Sequence, residues 1–180
     1  MISFDLHARP STGAAVQTIY RPGSRWAFEF SFPLMKADVA RAFTSRLVRA
    51  QREGLRMAVP LLGVSQGSPG TPVVDGNYPS GTVLPLKGLT PGYVFGEGYW
   101  LTLIDAAGDY YLHQVVGTAT VNGAGKATLS VETPIRAPIL NDATALVATP
   151  MVQGFIESIA WGMRVDRLVE GIGFTLEEAA

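Results

Sequence analysis

The chain has 180 residues, 47% hydrophobic and 16% charged, with a net charge of −1 and no cysteine. The length suits one domain with a full core, the near-neutral balance argues against nucleic-acid binding by bulk electrostatics, and disulfides and thiolate chemistry are excluded. The charge fraction is below the usual quarter or so of soluble domains, which leaves little polar material to coat the surface and predicts that neighbours cover part of it.

The start, Met1-Ile2-Ser3-Phe4-Asp5, has no basic region and no apolar region, so no signal peptide is expected. No apolar run reaches the ~18 residues of a membrane helix, and the expectation is a chain made and folded in a cytoplasm, without a membrane partner. Residues 2–6 and 15–20 read as early strands. In "WAFEFSF" (26–32), Trp26, Phe28, Phe30 and Phe32 alternate with Ala27, Glu29 and Ser31, the period of a half-buried strand. After Pro33 the period lengthens. Val39, Phe43, Leu47 and Ala50 share one helical face, Arg41, Arg49 and Arg52 lie roughly opposite with Arg46 at the border, and Gly54 closes a helix over 37–53. The four arginines fit a solvated face, salt bridges to a neighbouring subunit, or a phosphate-binding surface.

Eight of the 19 residues in "GVSQGSPGTPVVDGNYPSG" (63–81) are Gly or Pro, which predicts a long connection. Connections longer than about 12–15 residues are usually functional or disordered. Strand-like runs stand after the helix at 56–62 and, beyond this connection, at 82–88, 99–105, 110–116, 126–132, 144–150, 156–165 and 172–178. "DAAGD" (105–109) and "NGAG" (122–125) have turn composition. Ile159, Trp161, Met163 and Val165 should share a face, as should Ile172, Phe174 and Leu176, and the two runs could pair as a closing hairpin. The expected fold is mainly β, a sandwich or split barrel with one flanking helix, in a single domain spanning 1–180.

Chemistry is hard to place. "TVNGAGKAT" has Gly125-Lys126, but Thr120 and Ala127 stand where a phosphate loop needs Gly and Ser or Thr, so a hairpin tip is expected. His7 and His113 have no motif context, and His113 is expected half-exposed beside Tyr111. Asp75, Asp105 and Asp109 stand at turns, where carboxylates normally bond local backbone. Of Tyr99 and Trp100, one ring should be core and the other interface. No catalytic residue, cofactor or metal site is assigned, and no enzyme activity is expected.

The order of these features resembles the distal-tail proteins of siphoviruses, which form a ring at the end of the tail tube. The resemblance runs over most of the chain. It is carried by "WAFEFSFPLMKADVARAFTSRLVRAQREG", "GTPVVDGNYPSGTVLPLKGLTPG", "YWLTLIDAAGDYYLHQVV", "VNGAGKATLSVETPIRAPI" and "WGMRVDRLVEGIGFTLEEA". It implies a β-sandwich or split barrel flanked by a helix and related to tail-tube folds. It also implies a sixfold homo-oligomeric ring in the virion tail that meets the tail-tube protein and the hub or fibre proteins, with DNA only in transit. Within that reading, residues 63–81 form an intersubunit arm whose prolines lower the ordering cost on assembly; a loop folded back on its own domain, or a mobile tip, is the alternative. The interface candidates are Pro69, Pro72, Val73, Val74 and Tyr78 on the arm and Arg41, Arg49 and Arg52 on the helix, the arginines facing away from the lumen. A major tail-tube subunit is the nearest alternative. A carbohydrate-binding module using Tyr78, Tyr99, Trp100, Tyr110 and Tyr111 is the alternative of another class.

Overall fold

A computed structural model describes residues 6–8, 17–19, 24–77, 79–163 and 166–179. In chain order the elements are β1 (Leu6–Ala8), β2 (Gln17–Ile19), β3 (Ala27–Ser31), β4 (Met35–Lys36), α1 (Ala37–Glu53), β5 (Leu55–Ala58), β6 (Gly70–Val74) and β7 (Val83–Leu89). Then come β8 (Val94–Phe95), β9 (Trp100–Ile104), β10 (Tyr110–Val116), β11 (Ala119–Thr120), β12 (Ala127–Val131), β13 (Ala145–Leu146), β14 (Met151–Met163) and β15 (Leu168–Glu178). The fold is mainly β with one flanking helix, as the periodicity predicts. Residues 2–5, 15, 16, 20, Tyr78 and Val165 lie outside the described residues; β1 and β2 pair antiparallel, with Leu6 opposite Ile19.

Six strands run in the order β13-β9-β10-β12-β7-β6. A bridge between Val73 and Thr144 joins the two end strands, and Val74 N–H donates to Ala143 O at 2.9 Å. The sheet therefore nearly closes into a barrel. Period-two alternation fills it: Leu84 and Leu86 from β7, Leu101 and Leu103 from β9, and Leu129 from β12 are all buried inside. The short pair β8–β11 adds the buried Phe95 to this core.

A second sheet, β3-β15-β14-β5 with β4 against β15, carries the helix. Opposed residues of an antiparallel pair share a face. Phe28 thus stands opposite Leu176 and Phe30 opposite Phe174, on the side that builds a second core with Trp26, Ile156 and Ile172. The helix joins this core through Ala40, Leu47 and Ala50, with Phe43 edge-on to Phe32 at 4.8 Å. Val39, expected in the apolar stripe, falls on its flank in the first turn and is 56% exposed. Gly54 ends the helix at φ +82° and ψ 167°, a region essentially reserved for glycine.

Strand β9 serves both cores. Leu101 and Leu103 point into the barrel, whereas Trp100 packs in the second core, 4.7 Å from Trp26. Tyr99 packs against the barrel core. Tyr99 and Trp100 thus point to opposite faces as expected, and each ring, half-buried, packs against one of the two cores.

The closing hairpin forms, with β14 starting at Met151 rather than 156. Register shifts fall between Ile156 and Ser158, ahead of the expected apolar face, and between Ala160 and Gly162, where Trp161 drops out of the pairing while Met163 still stands opposite the buried Val169. A bulge re-aims the side chain it carries. Ile159 stays half-buried, while Trp161 and Met163 are 43% and 83% exposed at the tip. Ile172, Phe174 and Leu176 keep their common buried face.

Candidate functional site

The proposed arm is corrected at its middle, residues 69–74. Residues 70–74 form β6, a barrel strand pairing with β7 (Val73 opposite Lys87, Val74 opposite Leu86). Pro69 and Pro72 are buried, Val73 is half-buried and Val74 is fully buried in the chain's own core. Tyr78 lies outside the described residues. This stretch is folded back because pairing with β7, and the contacts of Val73 and Val74 with Thr144 and Ala143, take up its backbone groups within the chain.

Gln66, which sequence reasoning passed over, fixes the lead-in to β6. Its buried side-chain amide accepts from Trp100 N–H at 2.7 Å and donates to Trp100 O at 2.8 Å, and it also contacts Val147 O. One side chain thus stands in for a strand's peptide group at the edge of β9. Replacing Gln66 by alanine orphans the Trp100 N–H, at a cost of about 1–3 kcal/mol. Denaturant titration should show this loss, and limited proteolysis should cut first within residues 61–69.

The helix arginines are where the period places them. Arg41, Arg46, Arg49 and Arg52 are all exposed, and Arg52 meets Glu53 at 3.3 Å. The structure does not bring them together with the loop candidates, which are held in the barrel.

The isolated polar residues turn out mostly structural. Asp105 behaves as expected: its Oδ1 accepts from Ala107 N–H and Asp109 N–H at 2.9 and 2.8 Å. Asn122 does the same in the second turn, accepting from Ala124 and Lys126 N–H. Asp75 does not bond its own turn. It meets Lys126 at 2.7 Å and Lys87 at 3.8 Å across the barrel strands. The hydrogen bond from Lys126 holds the Asp75 carboxyl below its ordinary range, with the Lys87 charge adding to it. Lys126 is thereby accounted for without a phosphate.

His113 is fully buried rather than half-exposed, because it stands opposite Leu101 on the barrel's inner face. Its Nδ1 lies 3.1 Å from Thr133 O and 2.9 Å from Thr133 Oγ1, and Nε2 has no partner among the described residues. Burial, then the nearby Arg136 charge, lowers its pKa to about 4, opposed by the Thr133 bond. Because the unfolded chain takes up this proton near pH 6.5 and the folded chain near 4, stability rises with pH across that window. Denaturant midpoints should fall between pH 6.5 and 4, with up to roughly 3 kcal/mol lost to this group. The side chain of His7 is outside the described set.

Four of the five aromatic residues of the glycan alternative have partners within the chain, Tyr78 lying outside the described residues. Arg56 lies 4.4 Å over the Tyr110 ring, Arg136 stands 5.9 Å from the Tyr111 ring, and Tyr99 and Trp100 are packed in the two cores. Among the described residues, no group of three or more His, Asp or Glu could hold a metal ion, and no helix is long and apolar enough to cross a membrane.

What the surface does offer is apolar. Leu62, Val64, Phe155, Trp161 and Met163 are all exposed. A groove of about 480 Å³ runs between the start of α1 and the hairpin tip, walled by Trp161, Met163, Leu168 and Val169, with Asp38, Arg41 and Arg167 also lining it. The Ala37 N–H donates to Arg167 O at 3.1 Å, which ties helix and hairpin together across the groove. Exposed apolar patches beside polar rims mark interaction sites on soluble proteins. No family model matches the sequence, and neither does any curated protein.

Proposed function

We propose that the chain is a passive structural subunit of a long non-contractile phage tail. Copies of it close into a ring at the distal end of the tail tube, join the tube to hub or fibre proteins, and leave a channel through which DNA passes. The observation that carries this reading is the exposed apolar set, above all Leu62 and Met163 at 93% and 83%, on a chain with few charges to solvate it. The resemblance of its sequence features, in their order, to those of distal-tail proteins supports it, and so does a barrel-like fold with one flanking helix. In such a ring each subunit offers one surface to a different surface of the next. The arginine stripe of α1 faces away from the lumen, because a strongly basic wall would hold DNA back. Negative-stain electron microscopy of the purified protein tests the reading. Rings of one size are expected; long tubes would make the chain a tail-tube subunit instead, and monodisperse monomers at high concentration would contradict both.

A further inference from the structure

The loop after β5 carries an apolar knob. Leu62 is 93% exposed and holds φ +40°, a conformation that costs a non-glycine residue strain. Val64 beside it is 53% exposed. A shallow cleft brings Leu62 and Val64 together with the exposed Glu97, so the knob has an acidic neighbour. The groove between α1 and the hairpin tip has the complementary make-up: apolar walls, with the exposed guanidinium groups of Arg41 and Arg167 along it. Asp38 also lines this groove, in the first helical turn, where the helix dipole favours a negative charge.

Knob and groove cannot meet within one protomer. The knob follows Ala58, which pairs with Met151 at the start of β14, whereas the groove lies at Met163, the other end of the same strand. At ~3.3 Å per residue the two ends stand roughly 35–40 Å apart. A patch and a matching pocket on separate parts of one surface make a head-to-tail contact.

We propose that the groove between α1 and the β14–β15 tip receives the 61–64 loop of a second copy of this chain, with Leu62 and Val64 against Trp161, Met163 and Leu168 and Glu97 facing Arg41 and Arg167. This contact rests on the self-assembly reading and supplies one of its interfaces. Leu62 is the anchor, and the charges set register and orientation.

The absence of native cysteine allows a direct test. Leu62→Cys protein is mixed with Met163→Cys protein under mild oxidation, and the disulfide-linked heterodimer is followed on non-reducing gels. It should form about tenfold faster than with a Val116→Cys partner, since docking raises the effective concentration of the two thiols. Adding Glu97→Arg to the Leu62→Cys chain should slow cross-linking about two- to fivefold, and Arg41→Glu on the opposite chain should restore it. Cross-linking at the control rate while unmodified protein forms rings overturns this contact and leaves the ring reading intact. Fast cross-linking without rings supports the contact and removes the ring. Neither rings nor fast cross-linking overturns both.

Discussion

Replacing Glu178 with alanine should destabilise the protein by about 3–5 kcal/mol, the cost of breaking a buried charge pair from one side. Glu178 ends β15 fully buried, with its carboxylate 2.7 Å from the guanidinium of Arg136. Its two oxygens also accept backbone N–H groups: Oε1 from Leu112 at 2.7 Å and Oε2 from Trp26 at 3.0 Å. Arg136 in turn donates to Ser24 O at 3.0 Å. One carboxylate therefore joins barrel strand β10, the lead-in to β3 and the segment after β12, at the seam between the two cores. Alanine leaves Arg136 charged and unpaired and strands two amides. The double variant Glu178→Leu, Arg136→Met removes the unpaired charge but not the orphaned amides. It should recover only part of the loss, since each orphan still costs about 1–3 kcal/mol. Urea midpoints of the three proteins at pH 7 check this; full recovery in the double variant would show that the amide bonds contribute nothing.

Phe95→Ala should cost a similar amount, about 3–5 kcal/mol, for a different reason. Phe95 is fully buried in the barrel core, edge-on to Tyr93 at 5.0 Å. It sits on a two-residue strand whose strand partner among the described residues is the equally short β11, so little regular structure can close over the space left behind. The neighbouring Val94 points outward and is 50% exposed. Val94→Ala should stay within about 0.5 kcal/mol of the parent protein. Chemical denaturation of the pair separates a packing loss from a general weakness of this short ribbon.

The parts of the fold that sequence made legible are those governed by local periodicity. The helix announced itself through a 3.6-residue period and a terminal glycine, and β3 through alternating aromatics. The non-local parts stayed hidden. Gly, Pro and Val in residues 69–74 compose a flexible arm and an edge strand equally well; what decides between them is pairing with β7 and the Val73–Thr144 bridge, which no local pattern encodes. The same ignorance of barrel closure misplaced His113. For Glu178 a signal did exist. It continues the alternation of Ile172, Phe174 and Leu176 onto the buried face, but a glutamate near a chain end reads as solvated unless its cationic partner is known. The groove at the hairpin tip was hidden by the register shift at Trp161, which leaves no mark in composition, and by the exposure of Met163 at the tip although it stands opposite the buried Val169.

The central claim is that this sparsely charged exterior is completed by further copies of the same chain. Mass photometry of the purified protein over a range of concentrations addresses it most directly. A single closed species built of 19.2 kDa subunits is expected, giving way to monomer only on strong dilution. A lone 19.2 kDa species at every concentration would contradict it.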